Sequence, residues 1–111
     1  MTAVYLDASA FVKLVVPEPE TRALRRFLTR SAPRRVSSAI VRTEAPRAVR
    51  HIGSEALART REALRAIDLV TVDDRILDAA AALDPGVLRT LDAIHLATAL
   101  AVGEDLEVVV T

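Results

Sequence analysis

The chain has 111 residues, 51% of them apolar, with 15 Lys/Arg balanced by 15 Asp/Glu and no cysteine. That length suffices for one domain with its own core, the apolar fraction excludes wholesale disorder, and the missing cysteine excludes disulfides, thiolate zinc sites and cysteine nucleophiles. The zero net charge hides an asymmetry: residues 1–65 carry 13 Lys/Arg against 6 Asp/Glu and residues 66–111 carry 2 against 9, so the halves stand at +7 and −7.

Ala3 to Asp7 reads as a buried strand, followed at once by a short helix through Phe11, Leu14 and Val15 that Pro17 ends. Pro19 opens a second helix with Ala23, Leu24, Phe27 and Leu28 on one side and Arg22, Arg25, Arg26 and Arg30 largely on the other. Ala32-Pro33 breaks that pattern, and Arg35 to Ser37 has the makings of a short strand. Ser38 is placed to cap a helix from Ala39 towards Ile52, which Pro46 should bend or divide. Gly53 and Ser54 open the next helix. Leu69 to Val72 has the size and β-branching of a strand, and Asp73 is placed to cap an alanine-rich helix carrying Ile76 to Leu83. Asp84-Pro85-Gly86 is a turn. Thr90 to Val102 reads as a helix apolar nearly all round, hence buried, which Gly103 stops before a strand from Leu106 to Val110. Strands separated by helices argue for an α/β domain with parallel pairing, in which ligands gather beyond the carboxyl ends of the strands. No apolar run approaches the roughly 20 residues of a membrane helix, and the N-terminus lacks a signal-peptide pattern, so a cytoplasmic protein without membrane contact is expected.

Within this apolar framework three carboxylates stand out. Asp7 ends the run Val4-Tyr5-Leu6 and Asp92 opens the stretch after Leu91, both read as strand-to-helix turns. Glu44 interrupts an oily helical face between Ile40, Val41 and Ala48. Each has an ordinary explanation: Asp7 as a helix cap, Glu44 as an i,i+3 partner of Arg47, Asp92 as a charge favouring a helix N-terminus. Desolvating several unpaired anions in one short domain is costly, and a shared divalent cation explains them together. With only two histidines, at 51 and 95, oxygen ligands remain, which suit magnesium or manganese. His95, one turn beyond Asp92, reads as a hydrogen-bonded core residue, and Thr98 likewise. The Arg-rich face reads first as solvated surface. Lys13 and Arg42 are further candidates to meet phosphate.

Leu6-Asp7-Ala8-Ser9-Ala10, then Glu44 in a helix after Ser37-Ser38, then Leu91-Asp92-Ala93-Ile94-His95-Leu96-Ala97-Thr98-Ala99 resembles, in order and along the whole chain, the PIN-domain nucleases, in particular VapC-type toxins of toxin–antitoxin pairs. The resemblance implies a single PIN-like domain over 1–111, a three-layer α/β fold with a central, mainly parallel sheet flanked by helices. It also implies a magnesium- or manganese-dependent endoribonuclease, held inactive by a cognate VapB-type antitoxin and forming a homodimer. Phosphodiester hydrolysis would use Asp7, Glu44 and Asp92 against the scissile phosphate. Asp7 and Asp92 are assigned as direct ligands, and Glu44 as a ligand through water or the group orienting the attacking water. Ser9, by the same resemblance, supports a neighbouring carboxylate with a hydrogen bond.

The sequence departs from the family pattern where members carry a further acid just beyond the Thr that closes the last of these strands, then another helix and strand. Here Thr111 is the final residue, so the C-terminal elements are expected to be missing. That keeps a second expectation open, a catalytically impaired PIN-like domain that binds RNA or antitoxin without cutting. A third, in which Asp7 is the nucleophile of an aspartyl-phosphate phosphatase, ranks last because Ser9 stands where those enzymes place a second aspartate.

Overall fold

Ala3–Leu6 forms strand β1, and all four of its residues are buried in the computed structural model, which describes residues 2–31 and 34–111. A strand covered on both faces belongs inside a parallel sheet. Strands β2 (Arg34–Ser38), β3 (Asp68–Val70) and β4 (Leu106–Val110) join it in the order β3-β2-β1-β4, every pairing parallel. Tyr5 stands opposite Val36 on one side and Val109 on the other.

The two-residue period of β1 divides the core between two helical layers. Val4 and Leu6 point to the face covered by α1 (Ala8–Val15) and α2 (Thr21–Ser31), where they pack with Ala10, Leu24 and Leu28. Helices α3 (Val41–Val49) and α4 (Ser54–Leu64) extend that layer, Val41 and Ala45 meeting Phe11, and Val49 and Ala56 meeting Val15. Ala3 and Tyr5 point to the opposite face, against Ala99 of α6 (Thr90–Val102), while Ile76 and Ala80 of α5 (Asp74–Ala81) pack on Ala93, Ile94 and Ala97. Three layers result, as expected, and the carboxyl ends of β1 and β4 share one edge. There the Asp7 amide donates to the Val110 carbonyl at 3.1 Å.

Several boundaries differ from the sequence reading for local reasons. α2 starts at Thr21 rather than Pro19, because the Thr21 hydroxyl accepts from the Glu18 amide at 2.8 Å and donates to the Lys13 carbonyl at 2.7 Å, holding the intervening segment as a turn. Ser38 stays in β2, fully buried, and its Oγ accepts from the Ile40 amide at 3.2 Å, so it caps a turn and α3 begins only at Val41. Pro46 lies inside α3 without dividing it, and the helix stops at Val49, short of Ile52. β3 is displaced towards Asp68, whose carboxylate pairs with Arg34 across the strands at 3.1 Å, and the Val70 carbonyl is taken by the Ala39 amide. α5 ends at Ala81, not Leu83. The break at Ala32-Pro33 lies outside the described residues.

α6 has the predicted bounds, with Gly103 at φ 82° as the stop. Its burial, however, is one-sided: His95, Ala97, Thr98 and Ala99 are buried, whereas Leu96 is 37% and Leu100 61% exposed. Nor does Asp92 follow a strand. It sits in the first turn of α6, which follows α5 through a loop. Among the described residues no helix is long and apolar enough to cross a membrane.

Candidate active site

Asp7 is the N-cap of α1, its Oδ1 accepting from the Ala10 amide at 2.9 Å. The same oxygen accepts from the Ser9 hydroxyl at 3.0 Å. Its geometry follows from the chain: β1 ends at the sheet edge, the backbone at Asp7 is extended, and a carboxylate there satisfies an orphan amide of the helix it begins. The cap reading of Asp7 is therefore correct as far as one oxygen goes.

Glu44 lies in the first turn of α3, its side chain 20% exposed, and pairs with His95 rather than Arg47: Nε2 of His95 stands 2.6 Å from Oε1. His95 itself is 6% exposed, and its other ring nitrogen, Nδ1, stands 2.7 Å from the Tyr5 hydroxyl. The rings of Tyr5 and His95 meet edge to face. Burial pushes the Tyr5 phenol well above its ordinary value, with the Ser37 and Thr98 hydroxyls beside it acting in the opposite direction. Those two hydroxyls spend their protons on backbone, Ser37 on the Leu6 carbonyl and Thr98 on the Ile94 carbonyl, each at 2.6 Å. Asp92 pairs with Arg89 at 2.8 Å, with the acid 41% and the base 86% exposed.

Asp7, Ser9, Glu44 and Asp92 line one cavity of about 580 Å³ at the carboxyl edge of the sheet. Tyr5, His95 and Arg89 also line it, and Leu88, Leu96 and Val109 form its apolar side. Lys13 and Arg42 do not. The cation that faces the cavity is Arg89, which the sequence reading passed over.

The three carboxylates thus share a cavity without meeting at one point. Among the described residues no group of three or more His, Asp or Glu side chains is close enough to hold an ion as it stands. Each carboxylate is instead held by a neighbour on its own side: Asp7 by the α1 amide and Ser9, Glu44 by His95, Asp92 by Arg89. In chemical kind the donors still suit a hard divalent cation, since all three are carboxylates and each keeps one oxygen without a protein partner among the described residues. A sparse set of this sort leaves room for water, which magnesium retains.

Tyr5 was passed over and His95 was read as a hydrogen-bonded core residue, which it is; both left a trace of their place beside the site. His95 follows Asp92 by three residues, one turn on in α6, and Tyr5 precedes Asp7 by two in an extended segment, so each shares a face with a carboxylate. What no spacing reveals is that the two meet each other across 90 residues of chain.

The PIN-domain family model matches residues 4–111. The chain is 56% identical over 106 residues to ribonuclease VapC46 of Mycobacterium tuberculosis, spanning 96% of this chain and 81% of that protein. It is 41% identical over 101 residues to ribonuclease VapC35 of the same organism, spanning 90% and 75%. The crystal structure of Mycobacterium tuberculosis VapC20, titled a sarcin–ricin loop cleaving toxin, matches the fold with a TM-score of 0.74, covering 90% of this chain and 83% of that one at 18% identity.

Proposed function

The chain belongs to the PIN-domain family, among the VapC ribonucleases, and from that premise we propose that it hydrolyses RNA phosphodiester bonds with magnesium or manganese held by Asp7, Glu44 and Asp92. The observation that carries this reading is the convergence of carboxylates from three distant segments, with Ser9, on one cavity at the carboxyl edge of a parallel sheet. A bound divalent ion would lower the pKa of a water and neutralise charge developing on the phosphoryl oxygens. Asp7 and Asp92 would be its direct ligands. Glu44 would act as a ligand through water or orient the attacking water, and Ser9 holds Asp7 through its hydroxyl. Arg89 meets the phosphate backbone: its pair with Asp92 is largely exposed and contributes at most about 1 kcal/mol, so exchanging the carboxylate for a phosphate costs little.

The substrate is proposed to be a structured RNA loop, the class named for VapC20, and the partner a VapB-type antitoxin, with the toxin itself a homodimer in the cytoplasm. End-labelled hairpin RNA incubated with the protein and manganese tests the activity: cleavage abolished by chelator and by Asp92→Asn supports it, and cleavage that persists in chelator overturns it. One observation favours a second reading, a domain that binds RNA or antitoxin without cutting, namely that each carboxylate is tied to its own neighbour. Calorimetric titration with manganese separates the two. The enzyme binds the ion through Asp7 and Asp92, whereas the binding module shows no heat that those residues control.

A further inference from the structure

We propose that Tyr5 and His95 form a positioning relay that fixes the Glu44 carboxylate at the mouth of the active site. The inference rests on the reading of Glu44 as a member of that site and adds two residues that act on it through Glu44.

The direction of the chain of hydrogen bonds follows from what each group has to give. The Glu44 carboxylate only accepts, so the 2.6 Å contact with its Oε1 requires a proton on Nε2 of His95. An imidazole carrying its single proton there presents Nδ1 as an acceptor, and at 2.7 Å from Nδ1 stands the Tyr5 hydroxyl, a donor. The Ser37 and Thr98 hydroxyls beside the phenol give their own protons to the Leu6 and Ile94 carbonyls. In the proposed relay the phenol donates to Nδ1 and Nε2–H to the carboxylate.

Placement makes the relay rigid. Tyr5 is fully buried in the central strand, and His95 is 6% exposed in the middle turn of α6. Both are held by elements of the sheet-and-helix core, whereas Glu44 lies in the first turn of α3, beside the cavity. A long carboxylate side chain there has several rotamers, and pinning Oε1 removes that freedom while leaving Oε2 without a protein partner among the described residues. Residues that orient a ligand in this way are known to matter for metal affinity and turnover though they never touch the ion.

Two measurements test the relay. The first is its tautomer, read from long-range proton–nitrogen NMR spectra of uniformly labelled wild-type protein without metal, with the exposed His51 as internal reference. The expected spectrum shows His95 as the Nε2–H form, a preference that relaxes in Tyr5→Phe; an Nδ1–H or doubly protonated His95 overturns the relay. The second compares His95→Phe, which fills the space without a donor, with His95→Gln, whose amide reaches towards Glu44 in place of Nε2–H. His95→Phe is expected to weaken manganese binding or lower kcat by about 10- to 100-fold with KM for RNA nearly unchanged. His95→Gln is expected to restore most of the loss. Equal losses in the two variants, or a loss confined to KM, overturn the positioning role. If His95→Phe fails to fold, the wild-type spectrum and the Gln variant still decide the matter. Wild-type protein that cuts no RNA would sink the nuclease reading alone, because the tautomer and the manganese titration do not depend on cleavage.

Discussion

Asp7 serves two ends of one side chain, and substituting it separates them. In Asp7→Asn the amide oxygen can replace Oδ1 as acceptor for the Ala10 amide at 2.9 Å and the Ser9 hydroxyl at 3.0 Å, so the cap survives while the charge is lost. Asn and Asp rank together as N-caps, and loss of the favourable charge–dipole term, about 0.3–1 kcal/mol, is offset by relief of repulsion among the carboxylates of the cavity. Net stability in chelator should therefore stay within about 0.5 kcal/mol of wild type. Asp7→Ala removes the cap altogether and should cost about 1 kcal/mol more, a fall in Tm of roughly 4 °C for a domain of this size. Activity should follow the other pattern. Both variants lose the proposed direct ligand and should slow metal-dependent cleavage by at least about a hundredfold, equivalent to about 2.7 kcal/mol of transition-state stabilisation. Urea or thermal unfolding in chelator, paired with single-turnover cleavage in manganese, measures the two quantities on the same samples. Asn destabilising as much as Ala refutes the cap argument, and Asn cutting at the wild-type rate refutes the ligand assignment.

Other consequences are open to equally direct checks. Asp92→Asn should abolish metal-dependent cleavage and free Arg89, leaving unfolding free energy in chelator nearly unchanged because the lost pair is exposed; retained cutting contradicts its role. Leu28→Ala deletes a side chain only 1% exposed in the cluster with Val4 and Leu6 and should cost about 2–5 kcal/mol by urea unfolding, against little effect for Leu100→Ala at 61% exposure. RNA binding that involves Arg89 and the basic half should weaken with added salt in a binding titration, and a flat response would restrict those arginines to a solvated surface. Tyr5 is the single tyrosine, so phenolate absorbance reports it alone. Its folded value is raised above the ordinary 10.0, so the stability it confers is fully present below about pH 10 and declines as pH climbs past that point. Phenolate should appear together with loss of helical circular dichroism; phenolate forming near pH 10 in still-folded protein contradicts the burial argument.

Much of this architecture could be read from local pattern. α6 was legible to the residue because thirteen consecutive positions favour a helix and Gly103 provides the left-handed stop. Asp73 was legible as a cap for the same kind of reason, and its side chain accepts from the Ile76 amide at 3.0 Å. The start of α3 was not, because Ser38 has the chemistry of a helix cap but is held in β2 by the sheet, a tertiary preference that outweighs a local one. The exposed side of α6 was hidden for the converse reason: composition says that Leu96 and Leu100 are apolar, not what lies against them. In the site, carboxylates were visible as anomalies in apolar surroundings. The partners of Asp7 were visible with it, as a helix cap and Ser9, but that of Glu44 was not, since Glu44 and His95 are brought together across 51 residues and a lone histidine in an oily helix gives no sign of which acceptor it will meet.

The order β3-β2-β1-β4 has a consequence for biosynthesis. β1 is flanked on one side by β4, which follows it in sequence by about a hundred residues, so β1 waits through that much translation before that edge is filled. The amide of Asp7 finds its acceptor only once Val110 has been added, and Tyr5 finds His95 only slightly earlier. A nascent chain should accordingly remain inactive and protease-sensitive until β4 has been made. For a ribonuclease, such late assembly withholds the active site from the half-made product, and proteolysis of ribosome-arrested chains stalled before and after β4 would reveal the step.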